Sequence, residues 1–166
     1  MLGYVVSQGA GQGDALLAGV AHSLQARGWR LAGVVQMNVI FDPARPCHMD
    51  LQVLSGTEVV RISQDLGAGA AGCRLDAQSL EQAVGLVAGA LRAAPQLLII
   101  NKFGKQEADG RGFRALIGEA LQMGIPVLTS VSGANRAGFE GFAGGIGVEV
   151  AADPEALMAW CAGLVG

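Results

Sequence analysis

Three stretches of the chain are apolar almost throughout: LGYVVS at 2–7, PQLLIIN at 95–101 and IPVLTSV at 125–131. Strands of that kind are buried on both faces, which predicts a parallel sheet covered by helices on either side. The segments between them carry a different period. Leu16, Leu17, Val20, Ala21 and Leu24 recur at helical spacing, and Gly28 closes that helix. Phe113, Leu116, Ile117, Ala120 and Leu121 form one face of another. Ser79 with Gln82 fits a capping box that opens a helix to about Leu91, and Asp76 just before it is an alternative cap. Asp153 followed by Pro154 starts a last helix reaching about Leu164. RLAGVVQ (30–36) is a further strand. MDLQVL and EVVRIS, on either side of Ser55-Gly56-Thr57, predict a β-hairpin inserted between early elements. FDPARPC (41–47) predicts a loop with two prolines, and QDLGAGAAGCRLD (64–76) an irregular, glycine-rich segment. The expected fold is a three-layer α/β sandwich with a mostly parallel sheet and an inserted hairpin, forming a single domain over 1–166.

Composition narrows the class. With 51% hydrophobic and 15% charged residues, the 166-residue chain can build a closed core and carries too little charge for disorder. A net charge of −3 offers no electrostatic footprint for nucleic acid. No run reaches the roughly 18 apolar residues of a membrane span. The start MLGYVVSQG lacks the basic region and long apolar stretch of a signal peptide, so none is expected. Cys47, Cys73 and Cys161 are odd in number and without paired spacing, which suits a reduced cytoplasmic setting.

Candidate chemistry begins at QGAGQGD, residues 8–14, between the first strand and the first helix. Ligands of open α/β sheets settle outside the carboxyl ends of the strands, where this loop lies. Gly9, Gly11 and Gly13 permit positive φ and close backbone approach. The helix adds free N–H groups and the positive end of its dipole. Gly9, Ala10, Gly11, Gln12, Gly13 and Asp14 are therefore candidate anion ligands, or else they only make a tight turn with Asp14 stabilising the helix start. The phosphate-binding pattern G-x-x-x-x-G-K-[ST] is degenerate here. With Gly13 on its second glycine, Gln8 takes the first, Asp14 the lysine and Ala15 the magnesium-binding hydroxyl. A carboxylate in place of that lysine repels phosphate by roughly 1–4 kcal/mol per close charge pair.

A second half of the site follows the strand at 95–101, in NKFGKQEADGRGF. Where a magnesium-holding aspartate is expected, this strand ends in Asn101 and Lys102, and asparagine is a poor Mg²⁺ ligand. QGAGQGDALLAGVA, CHMDLQVLSG, GCRLD, NKFGKQEADGRGF and GIPVLTSV together resemble an uncharacterised bacterial family of P-loop NTPase-like proteins, associated with molybdate transport and molybdoenzyme gene clusters. That family is in turn similar to small nucleoside-triphosphatases whose strand end reads Asp-Glu-Ile-Gly-x-Met-Glu, a pattern onto which Asn101, Lys102, Phe103, Gly104, Lys105 and Glu107 align. The resemblance implies a P-loop-like parallel sheet. It does not carry over NTPase activity, because the departures fall on the residues that do the chemistry.

Other candidates sit on neighbouring loops. Arg74 is an anion clamp or a surface ion-pair partner, its planar fork suiting tetrahedral oxyanions. Lys105 and Arg111 lie on a glycine-flanked lid or solvated turn. Ser130, Ser132, Asn135 and Arg136 follow a strand end and are placed to line a pocket wall. Asp14 and Lys102 are expected within ion-pair or water-bridged reach across the site. Cys47, His48, Met49 and Cys73 offer soft metal donors, with buried packing the alternative. Cys161 beside Trp160 reads as packing, and no metal site is assigned.

The leading expectation is an accessory protein that binds a small anion, a nucleotide or a tetrahedral oxyanion such as molybdate, in molybdenum or metal-cofactor metabolism. One alternative is an active nucleoside-triphosphatase or kinase-like enzyme using Lys102 or Lys105 in place of the missing lysine. Another is a structural module that binds a partner protein, or its own copies, without a small ligand.

Overall fold

The computed structural model describes residues 1–9, 11–39, 48–64 and 74–166. The expected loop at 41–47, most of the segment at 64–76, and the candidates Ala10, Cys47 and Cys73 lie outside the described residues. In chain order the elements begin with β1 (Leu2–Ser7), α1 (Gln12–Ala26), β2 (Leu31–Val39), β3 (His48–Val53) and β4 (Val59–Arg61). The short β5 (Ser63–Gln64) and β6 (Arg74–Leu75) precede α2 (Ala77–Leu91) and β7 (Leu97–Ile100). Then come α3 (Lys105–Ala108), α4 (Arg114–Gln122), β8 (Val127–Ser132), a 3₁₀ turn (Gly133–Asn135), α5 (Arg136–Ala143), β9 (Gly147–Glu149) and α6 (Pro154–Ala162).

One sheet runs β4-β3-β2-β7-β8-β1-β9. The strands β2, β7, β8, β1 and β9 pair in parallel, while the β3–β4 hairpin extends the sheet antiparallel to β2. The alternation of side chains along each strand splits the core in two. Leu2, Leu98, Ile100 and Val127 face Val87 and Leu91 of α2 and Leu116, Ile117 and Ala120 of α4. Val5, Leu97, Ile99 and Leu128 face Leu17, Val20 and Leu24 of α1 and Leu157 of α6. These are the expected three layers, with apolar strands buried on both sides.

Two local details bear on the site. Gly33 of β2 has φ +111, and a Cβ there would lie 1.8 Å from the Ile99 carbonyl oxygen. Its absence lets β2 and β7 close in the register that pairs Val34 with Ile100. At α2, the expected capping box of Ser79 and Gln82 is replaced by an earlier start. Asp76 caps the helix, accepting from the Gln78 and Ser79 amides at 3.0 and 3.3 Å, and the Ser79 hydroxyl donates back to it. Asp76 is three residues closer to the end of β6 and satisfies two of the free N–H groups of the first helical turn. Asp153 caps α6 as expected, with Pro154 at the first helical position.

Candidate functional site

The loop after β1 is built by two glycines. Gly11 sits at φ 79 as the residue before α1, a left-handed conformation that favours glycine. Gly13 is buried, and a Cβ there would lie 2.9 Å from Ser130 Oγ and 3.4 Å from Ser7 Cβ. Glycine at 13 thus lets the first turn of α1 rest against the ends of β1 and β8. Gly9 has no such requirement, since a Cβ there would meet nothing within 4 Å. Gln12 closes the loop from the other side: its Oε1 accepts from the Gln8 amide at 2.7 Å.

Around this loop lies a cavity of about 460 Å³. Gly9, Gly11, Gly13 and Asp14 line it from the loop, Lys102 from the segment after β7, and Ser130, Ser132 and Asn135 from the end of β8. So the structure brings together the glycine loop, Lys102 and the β8 residues that the sequence singled out. Ser7, Gln8, Phe103 and Gly133 also line it.

Asp14, at the position of the missing lysine, does not pair directly with Lys102. Its Oδ1 accepts from Asn101 Nδ2 at 2.8 Å. The ion pairs among the described residues are Arg61–Asp50, Arg111–Asp109, Arg136–Glu140 and Arg136–Glu149. The reason is geometric. Asn101 is buried at the end of β7 and reaches the loop from beneath, whereas Lys102, the next residue, is exposed. Asn101 also donates to Gln36 Oε1 at 3.3 Å and accepts from the Gln36 amide at 3.0 Å. Its main-chain oxygen takes the Ser130 hydroxyl at 2.6 Å. Side chain and main chain of Asn101 thus tie β2, β7, β8 and α1 together at one point. Gln36 was passed over in the sequence. Its only signal is a polar side chain at the end of the apolar run RLAGVV.

Two candidates are placed elsewhere. Arg136 is drawn to the surface by Glu140 at 2.9 Å and Glu149 at 3.2 Å, and does not line the cavity. Arg74 lies exposed on β6, paired in register with Gln64, and lines neither cavity at the strand ends. Lys105 lines a second cavity of about 390 Å³, beside the first, with Lys102 and Asn135 common to both.

Glu107, aligned above with a glutamate of the triphosphatase pattern, has a mainly structural setting. It is 4% exposed. Its Oε2 accepts from the Gly104 amide at 2.9 Å and its Oε1 from the Phe113 amide at 3.2 Å, clasping the loop at both ends. Gly112 packs so closely that a Cβ there would fall 2.3 Å from Oε1. Burial pushes the Glu107 carboxyl above its ordinary range, against the pull of the two amides and of the Lys102 charge. Cys161 is buried in α6, and burial pushes its thiol up to about 11. Among the described residues no three His, Cys, Asp or Glu side chains converge as metal ligands. No described helix is long and apolar enough to cross a membrane.

Residues 2–160 match the family described as "Protein of unknown function (DUF2478)", and the chain belongs to it. A Bradyrhizobium diazoefficiens protein named "Molybdenum import ATP-binding protein ModC 2" is 39% identical over 150 residues, covering 89% of this chain. The match spans only 16% of that protein's length. Among solved structures, THEP1 from the hyperthermophile Aquifex aeolicus superposes with a TM-score of 0.69 over 99% of this chain and 96% of its own, at 12% identity. The fold is accordingly P-loop NTPase-like.

Proposed function

We propose that this chain binds a small anion, a nucleotide or a tetrahedral oxyanion such as molybdate, on the loop of residues 9–14, as a cytoplasmic accessory protein of molybdenum or metal-cofactor metabolism. In this reading it is a single domain and does not hydrolyse magnesium-bound triphosphates. The observation that carries it is the contact between Asp14 and Asn101 at 2.8 Å. The positions that would bear a phosphate-binding lysine and a magnesium-binding acid instead hold each other, with the acid on the loop side. The anion cradle does not depend on those side chains. Its support is the left-handed Gly11, the start of α1, and Lys102 on the facing wall. The metabolic setting draws support from the relative's name, molybdenum import ATP-binding protein.

A thermal-shift screen over nucleotides, phosphate, sulfate, molybdate and tungstate tests the binding. A ligand at about 100 times its Kd adds about 2.7 kcal/mol, a clear rise in Tm. Gly11→Val is expected to abolish the shift, because valine at φ 79 disrupts the loop. No shift with any of these anions, or an unchanged one in that variant, rejects the reading. One observation favours the enzymatic alternative: Lys102 lines both cavities and can reach a ligand in either. Mg²⁺-dependent phosphate release near about 1 s⁻¹, lost in Lys102→Ala, establishes that alternative instead.

A further inference from the structure

The cavity of about 390 Å³ between β2, β3 and α2 is untouched by the reading above. We propose that it is a ring subsite, receiving the flat, largely apolar body of the ligand whose anionic group rests on the loop of residues 9–14. The ligand class is then a phosphorylated heteroaromatic of mononucleotide shape. This rests on the anion-binding reading of the loop.

Five observations lead there. The volume lies at the lower end of ligand pockets, which run from about 300 to about 1,000 Å³, and suits one ring system. The wall is mixed in the manner of such pockets: Val34, Leu51, Leu80 and Phe113 supply apolar surface, while Gln36, Asn101 and Glu107 are polar and 3–4% exposed. The two cavities share a partition one side chain thick. Asn101 donates to Asp14, which lines the loop cavity, and to Gln36, which lines this one. Lys102 and Asn135 face both. The charge is arranged for a linker phosphate. Lys102 and Lys105 are exposed at this wall, whereas both oxygens of Glu107 are engaged by backbone amides. Among the described residues Asn101 Oδ1 accepts a single bond, from the Gln36 amide, and has capacity for a second donor such as a ring N–H. An alkyl chain would leave that capacity unused.

The experiment is calorimetric titration of the whole chain with inorganic phosphate, ribose 5-phosphate, AMP, GMP, CMP and UMP. At least one mononucleotide is expected to bind about tenfold or more tightly than ribose 5-phosphate, the same anion without the ring. Met49→Trp fills the cavity from a half-buried position on β3. It should remove that gain and leave ribose 5-phosphate affinity unchanged. Leu75→Phe is the second filling variant, should the first not fold. Equal affinity for mononucleotides and ribose 5-phosphate in the unmodified chain overturns the proposal. So does a folded Met49→Trp protein with full nucleotide affinity. Failure of the loop reading looks different: nucleotide binding then survives Gly11→Val yet falls in Met49→Trp, keeping the ring subsite and removing the anion from the loop.

Discussion

Replacing Asn101 by aspartate restores the acid that a magnesium site would carry, and it changes almost nothing in shape. The oxygen that accepts from the Gln36 amide at 3.0 Å is kept. What changes is the atom facing Asp14, where an N–H donor becomes a carboxylate oxygen 2.8 Å from Oδ1. Two unit charges at that separation repel by about 6 kcal/mol at an effective dielectric of about 20, and by about 1.5 kcal/mol in water. Protonation limits the penalty. Lifting one carboxyl from about 4 to above pH 7 costs about 4 kcal/mol, so the loss at pH 7 is about 1.5–4 kcal/mol. The sign follows from linkage: the folded variant holds a proton that the unfolded chain releases near pH 4, so its deficit grows as pH rises from there. At pH 5 it is limited to about 1.4 kcal/mol.

Urea denaturation at pH 5 and pH 7, for the parent, Asn101→Asp, Asp14→Asn and the double variant, measures this as a double-mutant cycle. The double variant exchanges acid and amide across the contact, and is expected to recover most of the stability. A deficit equal at the two pH values, or no recovery in the double variant, would refute the pairing of Asp14 with Asn101.

Three further outcomes are expected. Glu107→Gln leaves the Gly104 or Phe113 amide facing an NH₂ group and costs about 1–3 kcal/mol. Because burial raises the Glu107 carboxyl above 4.5, its contribution is complete below that pH and falls away above it; the deficit should be larger at pH 5 than at pH 8, and a flat difference contradicts this. Gly33→Ala drives a Cβ into the Ile99 carbonyl at 1.8 Å and strains φ +111, a loss of about 3 kcal/mol or more in urea melts; a loss under about 1 kcal/mol would mean that β2 and β7 are not closed as described. Lys102→Ala should weaken anion binding by calorimetry by about 1 kcal/mol, whereas Arg136→Ala, with its guanidinium held by Glu140 and Glu149, should leave it unchanged.

Long-period patterns made the sheet and its main helices legible. β1, β7 and β8 are short apolar runs that only a doubly covered parallel strand explains, and α1 shows five apolar residues on one face. The hairpin was readable from its turn and its flanking strands. The rest depends on short elements or on register. α5 is eight residues with Gly138 and Gly141 inside it, and β9 is a three-residue edge strand. Phe139, Phe142 and Ala143 do recur at helical spacing in α5, but over little more than one turn and between glycines, and β9 is too short to alternate. Missing β9 had a direct consequence for the site, because Glu149 on that strand, with Glu140, draws Arg136 away from the cavity that its place after β8 suggested. Gln36 became a site residue only through the register of β2 on β7, which puts it beside Asn101. The clasp at Glu107 rests on the close approach of Gly112 and on a four-residue helix, which residue types do not announce.

In the proposed reading, loss of the lysine from the phosphate-binding pattern does not imply loss of the loop, because different residues make each. The conformation comes from Gly11 in the left-handed region and from Gly13, the one glycine of the pattern that is kept, against Ser130. The lysine of the pattern contributes charge toward the β- and γ-phosphates, and that charge is here inverted to Asp14. The Asn101 carboxamide then donates to the acid and joins the loop to the end of β7. An anion entering the cradle has Asp14 on one side and Lys102 on the other. At about 5 Å and an effective dielectric of about 20, each additional negative charge on the acid's side costs about 3 kcal/mol. A triphosphate places its most charged groups where the pattern's lysine would have met them. A single phosphate or oxyanion can keep to the backbone amides and the Lys102 side, so the inversion at residue 14 favours the smaller charge.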